Sequence, residues 1–129
     1  MTAATAQTSV TGYDIIGDVH GCAPLLKRLL AKLGYHNDQG FYAHPDRQAI
    51  FLGDLIDRGP QVRETLLTVR AMVENNSAQM VVGNHEHAAI TFSTPAPMGF
   101  DRPFLRKHTT RLKRMLGQTL QEFHHREQE

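Results

Sequence analysis

Three times along this chain a short apolar run stops at a glycine, and a residue with a metal-capable oxygen follows at once. The first phrase is Gly17-Asp18-Val19-His20-Gly21, the second Gly53-Asp54-Leu55-Ile56-Asp57-Arg58-Gly59-Pro60, and the third Gly83-Asn84-His85-Glu86. Tyr13, Ile15 and Ile16 lead into the first, Ala49 to Leu52 into the second, and Gln79 to Val82 into the third. Short apolar runs bounded by turn residues read as buried strands. Glycine lets the backbone turn sharply there and lets an ion or a phosphate come close.

The intervals read as helices. Pro24 sits where a helix starts, Leu25, Leu26, Leu29, Leu30 and Leu33 recur at helical spacing, and Gly34 ends the run. Pro60 opens a second helix with Val62, Leu66, Val69 and Val73 on one face, ended by Asn75, Asn76 and Ser77. A short helical stretch is expected from the third phrase through Thr91, a loop over 93–103, and one long amphipathic, basic helix over about 104–126. Residues 35–47 read as irregular, with a short strand at 41–43, and residues 1–10 as a disordered tail. The order β-α-β-α-β-α implies a parallel sheet with helices on its faces. Ligands bind such sheets beyond the carboxyl ends of the strands, where all three phrases lie.

Three adjacent strand ends would bring Asp18, His20, Asp54 and Asn84 to one edge. Carboxylates crowded together repel, and a divalent cation removes that cost. Mixed imidazole, carboxylate and amide ligands suit Mn²⁺ first, with Fe or Zn²⁺ as alternatives. Asp54, on the middle phrase, is placed to bridge two ions, which at roughly 3.5–4 Å apart can clamp a phosphate and activate water. Arg58 offers a planar fork for phosphate oxygens. His85 could protonate a leaving alkoxide, Asp57 could hold its imidazolium, and Glu86 suits a supporting role behind the ligands.

Over residues 13 to about 92 these linked phrases resemble the calcineurin-like metallophosphoesterases. The Asp57-Arg58-Gly59 continuation is most similar to the phosphoprotein-phosphatase branch and its bacterial relatives, the symmetrical dinucleoside tetraphosphatases among them. The resemblance implies an α/β/β/α sandwich of which this chain carries the N-terminal half. It implies metal binding by Asp18, His20, Asp54 and Asn84, acid catalysis by His85 with Asp57, and phosphate contacts from Arg58 and His85. Further histidine ligands, which the family places on later strands, have no counterpart before Glu129. The chain therefore reads as an N-terminal portion, 11–129 being a partial domain with an exposed sheet edge that favours self-association. The leading expectation is a metal-dependent phosphatase acting on phosphomonoesters, small molecules or phosphoproteins, because Asp57 points that way within the family. The alternatives are a symmetrical dinucleoside-polyphosphate hydrolase, and a fragment that binds metal or phosphate without turnover.

Other features narrow the field. A formal net charge of +1 argues neither for nor against an anionic partner. The basic cluster Arg102, Arg106, Lys107, Arg111, Lys113 and Arg114 has a single interleaved aromatic, Phe104, too few for a base-stacking platform, which argues against nucleic acid. A solvated helix face is its default reading, and steering of polyanions the alternative. Cys22, the one cysteine, reads as a packing residue and fits a reducing, cytoplasmic setting. No apolar run approaches the roughly 20 residues of a membrane span. His36 and His44 read as solvated and His87 as helix surface, while His124 and His125 follow no apolar strand and so do not replace the later ligands.

Overall fold

In the computed structural model, which describes residues 9–124 and 126, each apolar run becomes a parallel strand. The strands are β1 (Gly12–Ile16), β2 (Arg47–Phe51) and β3 (Ala78–Met80), hydrogen-bonded in the order β1-β2-β3. Ile16 lies opposite Phe51, and Phe51 opposite Met80, so all three strands end level. That common end puts the three glycine phrases side by side. Residues 1–8 of the tail expected over 1–10, and His125, fall outside the described residues.

The connections are α1 (Ala23–Lys32) and α2 (Val62–Glu74). Leu26 and Leu30 of α1 and Val69 and Met72 of α2 pack with Ile16, Tyr35, Ala49, Phe51 and Ala78 into the main core. The buried stripe of α2 runs through Thr65 and Met72 rather than Leu66 and Val73. Thr65 can be buried because its hydroxyl donates to the Gln61 carbonyl at 2.8 Å. Both helices lie on one face of the sheet, as in one half of the α/β/β/α sandwich. Consecutive strands laid down in one direction, with connections of one hand, force this. On the other face Tyr13 and Ile15 are 56% and 60% exposed.

Beyond the sheet come α3 (Asn84–Ser93), α4 (Thr110–Met115) and α5 (Gly117–Glu122). The single helix expected over 104–126 is thus two six-residue helices that start late and break once. His108 explains the late start. It stacks on Phe92 at 3.7 Å and Phe104 at 4.5 Å, and its Nε2 bonds the Phe92 carbonyl at 2.7 Å. Thr109 then caps α4 by accepting the Leu112 N–H at 3.2 Å. The break falls at Leu116–Gly117, where glycine weakens the helix. Ala88, Leu112 and Leu116 form a second apolar cluster that holds α4 to α3. Residues 41–43 give one bridge, Ala43 to His36, not a strand. Among the described residues no helix is long and apolar enough to cross a membrane.

Gln61 gives the N-terminus of α2 no side-chain cap. Glu122 of α5 supplies it instead, accepting the N–H groups of Val62 at 2.8 Å and Arg63 at 3.1 Å. Gln118 Nε2 also donates to the Pro60 carbonyl at 3.4 Å.

Tyr35 carries a pH signature. Burial pushes its phenol above the ordinary value of 10.0, and the bond it donates to Asp14 at 2.9 Å adds to the shift. The folded chain therefore holds this proton longer than the unfolded chain. Stability from Tyr35 is full below the unfolded tyrosine range and falls as pH climbs from that range toward the folded value. Urea unfolding in that alkaline window should show a smaller pH-dependent loss for Tyr35→Phe than for the parent.

Candidate functional site

The site is built where turns touch backbone to backbone. A Cβ on Gly53, whose φ is +86, would lie 2.6 Å from the Gly83 Cα. A Cβ on Gly59 would lie 2.6 Å from the Gly21 carbonyl carbon. Glycine at these positions is what lets the second phrase seat against the third and the first. Four non-glycine residues also adopt left-handed backbone here: His20 (φ 46), Asp54 (φ 52), Asp57 (φ 67) and Arg58 (φ 69). Each such residue costs about 1–3 kcal/mol and persists only where its surroundings over-determine it.

Glu86 supplies much of that determination. Its buried carboxylate accepts four backbone N–H groups, from Gly83 at 3.0 Å, Asp54 at 2.7 Å, Leu55 at 2.6 Å and Ile56 at 3.3 Å. The Asp54 carbonyl accepts the N–H groups of Val19 at 3.1 Å and His20 at 3.0 Å. The second phrase is thus bonded to the other two.

Side chains converge on this frame. His20 Nδ1 lies 2.8 Å from the Ile56 carbonyl, so Nδ1 carries the proton and Nε2 keeps its lone pair. That Nε2 is 3.6 Å from Asp18 Oδ2. Asp54 Oδ1 accepts the His85 N–H at 3.0 Å, which orients the carboxylate. His85 stands edge-on to His20 with ring centroids 4.7 Å apart, and its Nδ1 is 2.7 Å from Asp57 Oδ2. Asp57 is fully buried.

The other Asp57 oxygen accepts the Thr119 hydroxyl at 2.6 Å, and the Asp57 N–H donates to that hydroxyl at 3.0 Å. Thr119 lies 62 residues away on α5, and no local signal marks it. Thr119→Val should cost about 1–3 kcal/mol, the penalty for buried polar groups left without partners. Thr119→Ser should retain most of the stability, and chemical denaturation of both variants checks this.

His20, Asp54 and His85 offer ligand atoms all within 4.8 Å of one another. Asp18 stands at the exposed rim beside His20. An imidazole with a fixed free nitrogen and a carboxylate with a spare oxygen are a donor set that fits a divalent cation. Asn84 is the exposed first residue of α3, and Arg58 is exposed with no bonded partner among the described residues. These two flank the cluster in sequence, Asn84 just before His85 and Arg58 just after Asp57. His44 proves structural rather than solvated, since its Nδ1 faces the N–H groups of Asp46 at 3.2 Å and Arg47 at 3.1 Å.

The chain is 51% identical over 74 residues to bis(5'-nucleosyl)-tetraphosphatase PrpE [asymmetrical] of Halalkalibacterium halodurans, covering 57% of this chain and 30% of the relative. It is 52% identical over 73 residues to the protein of the same name from Geobacillus sp. strain WCH70, covering 56% and 30%. The match thus spans about a third or less of the relatives' length. A solved serine/threonine phosphatase from Saccharomyces cerevisiae, described as similar to human phosphatase PP5, aligns with a TM-score of 0.49 at 25% identity over 63% of this chain and 24% of its own. The sequence signature described as Calcineurin-like phosphoesterase matches residues 13–125, taking in all three turns and both terminal helices. On that match, the chain belongs to the calcineurin-like phosphoesterase family.

Proposed function

We propose that this chain carries the part of a metal-dependent phosphoesterase that holds divalent ions and delivers a proton to the leaving group. One observation supports this most. A buried His85–Asp57 pair stands within ligand distance of His20 and Asp54. His85 donates from Nδ1 to Asp57, which leaves Nε2 as the nitrogen that can give a proton to a leaving oxygen. Asp57, held by the Thr119 hydroxyl, fixes the plane of the imidazole. Arg58, extended at the surface, would pair its planar fork with the phosphate oxygens. Asp18, His20, Asp54 and Asn84 would hold two divalent ions, Mn²⁺ by preference. Such ions neutralise phosphate charge and make water a better nucleophile. Glu86 holds the turns that carry these groups.

Two substrate classes fit. The His85–Asp57 acid suits phosphomonoesters, whose alkoxide leaves poorly. The names of the relatives favour a second reading, hydrolysis of dinucleoside polyphosphates, and there an asymmetric cut replaces the symmetrical one expected from sequence. The assay is turnover of an aryl phosphate and of a diadenosine tetraphosphate, with Mn²⁺ or with chelator, alongside Asp54→Asn. Chelator-sensitive turnover lost in Asp54→Asn is expected, and turnover indifferent to chelator would refute the proposal. The nucleotide products report symmetric or asymmetric cleavage.

Metal should also stabilise the fold. Mn²⁺ at a hundredfold over its dissociation constant is expected to add about 2.7 kcal/mol, read as a raised thermal midpoint. Asp54→Asn should lose most of that shift. A shift without turnover would favour the binding-only alternative.

A further inference from the structure

We propose that the groove beside Asn84 is a seat for a linear phosphate chain, a subsite formed by Arg106, Lys107 and Arg111. This rests on the phosphoesterase reading and narrows its substrate to compounds carrying several phosphates in a row. The groove encloses about 500 Å³, within the range of small-molecule sites. Asn84, the residue before His85, is part of its lining. Ala88 and Leu112, from the cluster that joins α4 to α3, lie beneath. The basic cluster read from sequence is therefore divided. Arg106, Lys107 and Arg111 line the groove, whereas Arg102, Lys113 and Arg114 do not.

Arg106 is positioned rather than loose. Its Nε donates to Thr91 Oγ1 at 2.8 Å, its Nη2 lies 3.2 Å from His87 Nδ1, and its backbone N–H bonds the Thr91 carbonyl at 3.1 Å. No acidic side chain lines the groove. Several surface cations elsewhere are matched by carboxylates, as in Lys27–Glu64, Arg47–Asp14 and Arg70–Glu74. Among the described residues Arg106, Lys107 and Arg111 pair with no carboxylate. Three unmatched cations around one groove repel one another and are relieved by a polyanion. A monoester has one phosphoryl group, which the catalytic cluster would hold. Only a substrate with a longer phosphate chain reaches past Asn84 to all three.

The test is calorimetric binding of inorganic tripolyphosphate and of orthophosphate to the full chain and to Lys107→Gln/Arg111→Gln. Neither Lys107 nor Arg111 makes a side-chain bond that the fold would miss, and thermal unfolding verifies that the variant is intact. Tripolyphosphate should bind the parent more tightly than orthophosphate. The double variant should bind tripolyphosphate about tenfold more weakly, from two lost exposed charge contacts, with orthophosphate affinity unchanged. Equal affinity for the two anions, or no loss in the variant, overturns the subsite. Turnover of an aryl phosphate should be the same in both proteins. If no substrate turns over, the phosphoesterase reading fails separately, and the binding data still decide the groove.

Discussion

Glu86→Ala is expected to lose about 3–5 kcal/mol of folding free energy, because four N–H groups lose a charged acceptor and each such bond is worth 1.5–3 kcal/mol before water repairs part of the loss. Against a typical total of about 5–15 kcal/mol, that leaves a marginal fold. Glu86→Gln separates charge from shape. Oε2 serves Gly83 and Asp54, and Oε1 serves Leu55 and Ile56. An amide keeps one oxygen and turns the other into a donor facing donors, so about half the loss should remain. Urea denaturation of the three proteins gives the ranking. A loss below about 1 kcal/mol in the alanine variant would mean that the turns hold themselves and that the carboxylate is incidental.

His85→Ala should lower turnover of an alkyl phosphate by about 10²–10⁴-fold, the usual contribution of a positioned acid. An aryl phosphate with a good leaving group needs little protonation, so its loss should be much smaller. That difference is the informative result, because His85 also lies within 4.8 Å of the His20 and Asp54 ligand atoms. If His85 were a metal ligand instead, both substrates would suffer alike and the Mn²⁺-induced thermal shift would fall. Asp57→Asn should follow the acid pattern, since it keeps the side chain's shape but weakens the bond from His85 Nδ1 that orients the ring. Equal losses on the two substrates would end the general-acid assignment.

Much of this site can be read locally. Each phrase places its glycine, its oxygen ligand and its histidine within a few residues, and the parallel order of the strands brings the phrases together. The role of Glu86 as support was also within reach, because it sits three residues after Gly83 and can turn back on the preceding backbone. Other features depend on contacts that no local pattern encodes. Thr119 meets Asp57 across 62 residues, and its hydroxyl in a helical run looks like any half-polar position. The apolar spacing over 104–123 suits one continuous helix, but the stacking of His108 between Phe92 and Phe104 outweighs helical propensity at its start. The stripe on α2 shifts because Thr65 satisfies its hydroxyl within the helix and so can go inside. That both helices share one sheet face follows from strand order, which the sequence of elements alone leaves open.

The grip of α5 on the second turn also sets an order of events. Gln118, Thr119 and Glu122 reach Pro60, Asp57 and the start of α2, so the turn bearing Asp57 is fastened by residues made about sixty positions later. A chain leaving the ribosome at about 5–20 residues per second exposes the Asp54–Pro60 turn several seconds before its fastener is synthesised. Through that interval the sheet and α1 can form from nearer contacts, while Asp57 still has water where Thr119 will be. The His85–Asp57 pair is then the last part of the centre to set, and a nascent chain stopped before residue 117 would carry all three turns with the pair still unlatched.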